Sequence, residues 1–386
     1  MNWKRNIRII AFGYLLGLVT SSACSSEDGN NEETGDSTAK IDLSKLNLPE
    51  GYSISIYSPD VKNARSMAVG TRGTLFIGTR EEGKVYALRD TDGDFKADEK
   101  FVIASGMRAP NGVAFKDGAL YVANVNELWR YDDIEDNLAN PPKPELIYKD
   151  YPKDYHHGWK YIAFGPDGKL YIPVGAPCNN CESRNEMYAS ITRINPDGSG
   201  REVFASGVRN TVGFTWHPES GEMWFTDNGR DMLGDDIPPC ELNRASEAGQ
   251  HFGYPYCHGG TIKDPEFGSK FPCSDFVEPE INLGAHVAPL GIKFNTGGMF
   301  SANMANQVFI AEHGSWNRSK KIGYRISLVR TKDGRASSYE TFIDGWLDEG
   351  SQKAWGRPVD VLFVKDGSML ISDDMVGAIY RVTYSD

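Results

Sequence analysis

Arg65, Asn111 and His157 stand 46 residues apart, and each opens a unit of the same kind. The unit has a polar lead-in, a β-type run, a Gly-bearing turn, a second run and often a third that ends like "VYAL" or "IYRV". "ARSMAVGTRGTLFIGTREEGKVYAL", "APNGVAFKDGALYVANVNELWRY" and "HHGWKYIAFGPDGKLYIPVG…SITRI" are the first three. "VRNTVGFTWHPESGEMWFTDNG", "VAPLGIKFNTGGMF…QVFIAEHGSWNRSKKIGYRISLV" and "GRPVDVLFVKDGSMLISDDMVGAIYRV" complete the set. Short runs rich in Val, Ile, Tyr and Phe, with no long helical periodicity, make the chain all-β. A repeat of this length, each unit a small antiparallel sheet, predicts a six-bladed β-propeller over residues 41–386. "YSISIYS" near the front is a spare strand predicted to pair with "AIYRVTY" and close the ring, which removes exposed sheet edges.

A ring gathers residues that lie far apart in sequence. The blade-opening segments carry Arg65, Asn111, His156 and His157, Arg209 and Asn210, His286 to Leu290, and Arg357. Arginines, asparagines and histidines delivered to one mouth predict a site for an anionic ligand.

The N-terminal segment reads as an export signal over residues 1–23: Lys4, Arg5 and Arg8, then "IIAFGYLLGLV", then "TSSAC". Cleavage before Cys24 with lipidation of that cysteine is the expectation, although Ser21 is a weak letter for that signal. Ordinary cleavage nearby is the alternative. "SSEDGNNEETGDSTAK" has no large apolar residue, so residues 24–40 are expected to be a flexible acidic tether. Losing the three leading cations takes the formal net charge from −12 to −15. That charge argues against nucleic acid and against electrostatic adhesion to an anionic membrane, so a lipid would do the anchoring. Outside the cytosol, Cys178 with Cys181 and Cys257 with Cys273 are the expected disulfides, each closing a short loop and leaving Cys240 over. A structural zinc site competes with that pairing. "CNNCE" lacks the histidine of a haem-attachment motif.

Two stretches are rich in oxygen donors. "TDNGRDMLGDD" offers Asp227, Asn228, Asp231, Asp235 and Asp236 in a Gly-containing loop suited to Ca²⁺. "DTDGDFKAD" places Asp90, Asp92, Asp94 and Asp98 as the start of an EF-hand loop would. Phe101 stands where the bidentate Glu is needed, so a surface calcium clip competes with a plain polar hairpin end.

Six motifs in order carry a resemblance: "HHGWKYIAFGPDGKLYIPVG", "GVRNTVGF", "TDNGRD…CELN", "GQHFGYPYCHGG", "HVAPLGIKF" and "AEHGSWNRSKKIGYRI". Together they resemble the soluble PQQ-dependent sugar dehydrogenases, nearest to the sorbosone and pyranose dehydrogenase branch, from about Leu48 to Asp386. The resemblance implies a six-bladed propeller holding pyrroloquinoline quinone beside Ca²⁺, with hydride leaving a sugar C–OH. His157, seven residues before Phe164, matches the catalytic histidine that removes the hydroxyl proton. Arg209 and Asn210 match the pair that contacts the quinone, whose three carboxylates suit guanidinium forks. Gly229, Arg230 and Asp231 match the loop that holds the cofactor-side calcium, largely through backbone carbonyls.

Three departures qualify it. Arg357 matches one arginine of an Arg-x-Arg element whose second position is Val359, which makes Arg318, with Lys320 or Lys321, the expected substitute. Cys240 replaces an acid before Glu241, and His156 replaces the acid preceding the catalytic histidine in the glucose-oxidising branch. The implied partners are a small-molecule sugar and an external electron acceptor, a cytochrome or quinone. A gluconolactonase-type Ca²⁺ lactonase and a non-catalytic glycan- or protein-binding propeller are the rival readings. The lactonase would want axial acids rather than arginines, and the binding propeller leaves the converging cations unexplained.

Overall fold

The second strand of every unit opens with at least three apolar residues in a row, so both of its faces must be covered. Leu75–Thr79, Ala119–Ala123, Leu170–Val174, Met223–Asp227, Val308–Glu312 and Met369–Asp373 are buried at every residue. A computed structural model describes residues 41–385 and shows how that burial is achieved. Six sheets, each of at least four strands, form the blades of a propeller. The expected signal segment, Cys24 and the tether lie outside the described residues.

Blade 1 runs through Ala64–Val69, Leu75–Thr79, Val85–Arg89 and Glu99–Ala104, and blade 2 from Gly112–Lys116 to Glu145–Tyr148. Blade 3 runs from Ala163–Phe164 to Glu202–Ser206 and gains Gln250–His251 in parallel at its outer edge. Blade 4 opens with Phe214–Trp216 and ends with Ile281–Ala285, and blade 5 runs from Pro289–Phe294 to Arg335–Ile343. Blade 6 joins Pro358–Phe363, Met369–Asp373 and Ala378–Tyr384 to the early strand Tyr52–Ser58, with Tyr52 opposite Tyr384. This is the ring closure that "YSISIYS" predicts. Among the described residues the helical elements are four short 3₁₀ turns.

The core is divided in the same way. Six apolar clusters each join two neighbouring blades, so no blade buries its faces alone. Phe76, Leu120, Ile172, Phe225, Ile310 and Ile371, one from each second strand, have no solvent exposure. A seventh cluster, Val212, Leu290 and Val359 with Trp159 against it, unites the lead-in to blade 4 and the opening strands of blades 5 and 6 with the loop before blade 3.

The equal spacing of Arg65, Asn111 and His157 does not place them equivalently. Arg65 lies inside the first strand of blade 1 and Asn111 abuts that of blade 2. His157 stands in a loop six residues ahead of Ala163, because the opening strand of blade 3 starts later. Its backbone is left-handed, with φ +48°. For a residue with a side chain that conformation costs on the order of 1 kcal/mol or more, and it persists only where surroundings enforce it.

Candidate functional site

Ala176, just beyond the second strand of blade 3, ties two of the expected functional residues together. Its carbonyl accepts from His157 Nδ1 at 2.9 Å, and its N–H donates to the Arg209 carbonyl at 2.8 Å. A carbonyl can only accept, so the His157 proton sits on Nδ1 and the Nε2 lone pair is left for another partner. Gly175 makes the approach possible. A Cβ there would lie 2.4 Å from the His157 Cβ and 3.3 Å from Asn210 Oδ1. His157 is buried, and its pKa is held well below the ordinary histidine value by burial first, then by the Arg209 and His156 charges. The imidazole is therefore neutral and oriented, with its base side unused by that hydrogen bond.

Arg209 and Asn210 are set by an acid at the end of the second strand of blade 4. The Asp227 carboxylate accepts from Arg209 N at 2.7 Å and from Asn210 N at 2.6 Å. Burial, reinforced by Glu241, pushes Asp227 up to about 7. Its oxygens face backbone N–H groups, so Asp227 is a brace and not an open loop donor. The Arg209 guanidinium reaches Asn179 O (2.8 Å), Asn179 Oδ1 (2.9 Å), Asn228 O (3.2 Å) and Asp231 Oδ2 (3.0 Å). His286, buried beside this loop, lies 3.9 Å from Asp231 Oδ1 and contacts Gly234 O at 2.8 Å. In the metal loop itself, the Arg230 side chain turns to Asp264 at 2.6 Å, and Asp231 O accepts from Asn179.

Across the ring, Arg357 contacts His313 O at 3.1 Å and Gly314 O at 3.3 Å. It is partly exposed, and among the described residues it has no ion-pair partner. A guanidinium left in that state is suited to a carboxylate.

Other expected members of the site stand elsewhere. Arg65 is 1 % exposed, donates to Asn111 Oδ1 at 2.9 Å and pairs with Asp374 at 2.7 Å. Asn111, with no exposure, donates to Ser66 Oγ and Lys160 O. Both fasten blades to one another, since each is enclosed by its partners, and neither presents a surface to a ligand. Arg318 does not take the place of the missing second arginine. It binds Asp235 O, Asp236 Oδ1 and Lys320 O, while Lys320 pairs with the exposed Glu349. Val359, the position in question, is buried in the apolar axial cluster, where a second guanidinium would be costly. Asp90, Asp92 and Asp98 bring carboxylate oxygens within 4.8 Å of one another, but Asp94 turns away to Lys96 at 3.0 Å.

The disulfides are Cys178–Cys181 and Cys257–Cys273, and Cys240 is a buried thiol. Asn179, Ala176 and Asp374 had no sequence motif to mark them. Asn179 has one weak signal: it lies inside the CxxC loop that follows the second strand of blade 3. A cavity of about 350 Å³ lies against that loop, lined by residues including Cys181, Tyr188, His251 and Tyr254. Neither His157 nor Arg209 lines it.

Known proteins share this architecture. A 36% identical protein of Borreliella burgdorferi, described as uncharacterized, matches over 88% of this chain and 91% of its own length. A pyrroloquinoline quinone-dependent sugar dehydrogenase of Hypocrea jecorina is 21% identical over 87% of this chain and 89% of its own. The Trichoderma reesei structure of carbohydrate-active enzyme family AA12 superposes with a TM-score of 0.77 at 21% identity, covering 88% of this chain and 98% of that one. The TrAA12-like family model matches residues 46–385, and this chain belongs to that family.

Proposed function

We propose that this chain is a PQQ-dependent sugar dehydrogenase, acting on a sugar of the sorbosone, aldose or pyranose type and passing electrons to an external acceptor. The observation that carries the reading is His157, a neutral, buried imidazole whose Nδ1–H is committed to Ala176 O, beside Arg209 and Asn210. The quinone fits the donor set, because Arg357 offers a partly exposed guanidinium with no direct ion pair among the described residues and Arg209 and Asn210 are rigidly braced. Arg209, Asn210 and Arg357 would hold it. The carbonyls of Gly229, Arg230 and Asp231 would take Ca²⁺, with Asp231 O also accepting from Asn179.

When bound, the quinone supplies a two-electron sink for hydride. The protein's own work is then to seat the sugar hydroxyl at His157 Nε2, which accepts its proton, and to keep that nitrogen unprotonated. A depressed pKa does the latter. The chain has no CxxCH motif for covalent haem, which is why a separate cytochrome or quinone is proposed as acceptor. Export and lipid anchoring through Cys24 belong to the same reading, and the two disulfides agree with an oxidising compartment.

Purified apoprotein given PQQ, Ca²⁺ and sugar is expected to reduce a redox dye only when all three are present. Lactone hydrolysis with Ca²⁺ alone, and no uptake of the quinone, would overturn the reading in favour of a lactonase.

A further inference from the structure

Arg209 has five N–H groups, and four of its hydrogen bonds are accounted for by Asn179 O, Asn179 Oδ1, Asn228 O and Asp231 Oδ2. One Nη1–H remains for a ligand. Its direction follows from where the other four are held, and Asn179 provides two of those acceptors. Asn179 also reaches the other side of the site. Its Oδ1 accepts from Asp231 N at 2.8 Å, and its Nδ2 donates to Asp231 O at 3.1 Å. A single amide thus fixes the guanidinium to the loop that carries Gly229, Arg230 and Asp231.

Asn179 is itself confined. It lies between Cys178 and Cys181, whose disulfide closes a loop of four residues. Tyr254 seats that loop: its hydroxyl accepts from Cys181 N at 3.0 Å and lies 3.6 Å from Cys178 Sγ. A main-chain carbonyl in an unconstrained loop of this length would wander, and the guanidinium with it.

We infer that Asn179, clamped by the Cys178–Cys181 disulfide, is a positioning residue that presets Arg209 for its anionic cofactor. The inference rests on the quinone reading above. Preorganisation of this kind lowers the ordering cost of binding.

Equilibrium titration with PQQ and Ca²⁺, read by fluorescence quenching, tests it together with amide hydrogen exchange of the apoprotein. Asn179→Ala and the double variant Cys178→Ser/Cys181→Ser are each expected to bind the quinone about tenfold more weakly than wild type. In the apoprotein both should speed exchange over residues 229–233, where the Asp231 N–H loses its acceptor. In an Arg209→Ala background, Asn179→Ala should change the affinity by less than about twofold, because a residue acting through Arg209 has nothing left to position. An equal loss in both backgrounds, or unchanged exchange and affinity in folded variants, overturns the inference alone. Failure of wild type to take up the quinone overturns the proposed function, and this role with it. Thermal melts establish folding, and the cysteine variant carries the test if Asn179→Ala does not fold.

Discussion

Arg65 and Arg357 both sit at blade-opening positions and both lie in the field of Asp374, yet they are held in different ways. Arg65 is sealed, with its charge cancelled by Asp374 at 2.7 Å. Arg357 stays partly exposed with only two backbone carbonyls as hydrogen-bond partners and no ion pair among the described residues. Burial works against the Asp374 charge, but His313, Arg65 and Arg357 outweigh it and hold the carboxyl well below the usual range. His313 reaches its other oxygen at 2.8 Å. The difference is one of enclosure: Arg65 is shut in against Asp374 and Asn111, whereas the Arg357 side chain stays partly exposed and meets Asp374 only through its field.

Substitutions can break that contrast. The largest expected effect lies outside it and provides the scale. His157→Ala should lower quinone-dependent sugar oxidation by about 10²–10⁴-fold while quinone titration still saturates, as removal of a general base does. Next comes Arg65→Met, which leaves the Asp374 carboxylate buried without its partner. It should cost about 3–5 kcal/mol in denaturant unfolding, with the affinity of the folded protein for the quinone little changed. Arg357→Met should do the reverse, weakening quinone binding roughly 10–100-fold, as loss of a charged hydrogen bond predicts, with little change in the melting curve. If the affinity falls for Arg65→Met and the stability falls for Arg357→Met, the assignments must be exchanged.

The pH dependence sharpens the same comparison. Asp374 has a depressed folded pKa, so its contribution to stability is present above the ordinary carboxylate value of about 3.9 and is lost as pH falls below it. Acid unfolding followed by circular dichroism should show a shallower loss in Arg65→Met than in wild type. For His157 the active form is unprotonated, and its depressed pKa extends that form to lower pH. The acid limb of kcat/KM should therefore lie below pH 6.5, the ordinary histidine value, and a limb above it would contradict the buried, neutral assignment. The smallest effect belongs to Asp94, which is exposed and bonded to Lys96: Asp94→Ala should shift stability by less than about 0.5 kcal/mol.

Much of the fold was readable because blade structure is local. Each second strand announces itself by an opening run of apolar residues, and the turns between strands carry Gly within a few residues. His157, Arg209 and Asn210 were marked as candidates by motifs that resemble a family's pattern, and the structure brings them close together around Ala176, Gly175 and Asp227. The 46-residue spacing was a weaker guide. It placed Arg65 and Asn111 with His157 as equals, whereas the late start of the blade 3 strand leaves His157 in the loop six residues ahead of it. Arg318 was misassigned for a related reason: nothing local to "GSWNRSKK" reveals that Asp235 and Asp236 claim its guanidinium.

By itself the sequence determined the number of blades and the closure of Tyr52–Ser58 onto Ala378–Tyr384. Only the tertiary structure decided which arginine is enclosed by its partners and which stays partly exposed. Arg65 meets Asp374 across 309 residues, and Arg209 meets Asn179 across 30. Period and propensity act over a few residues, but a charge is cancelled or left uncancelled by whatever ring closure brings within hydrogen-bonding distance.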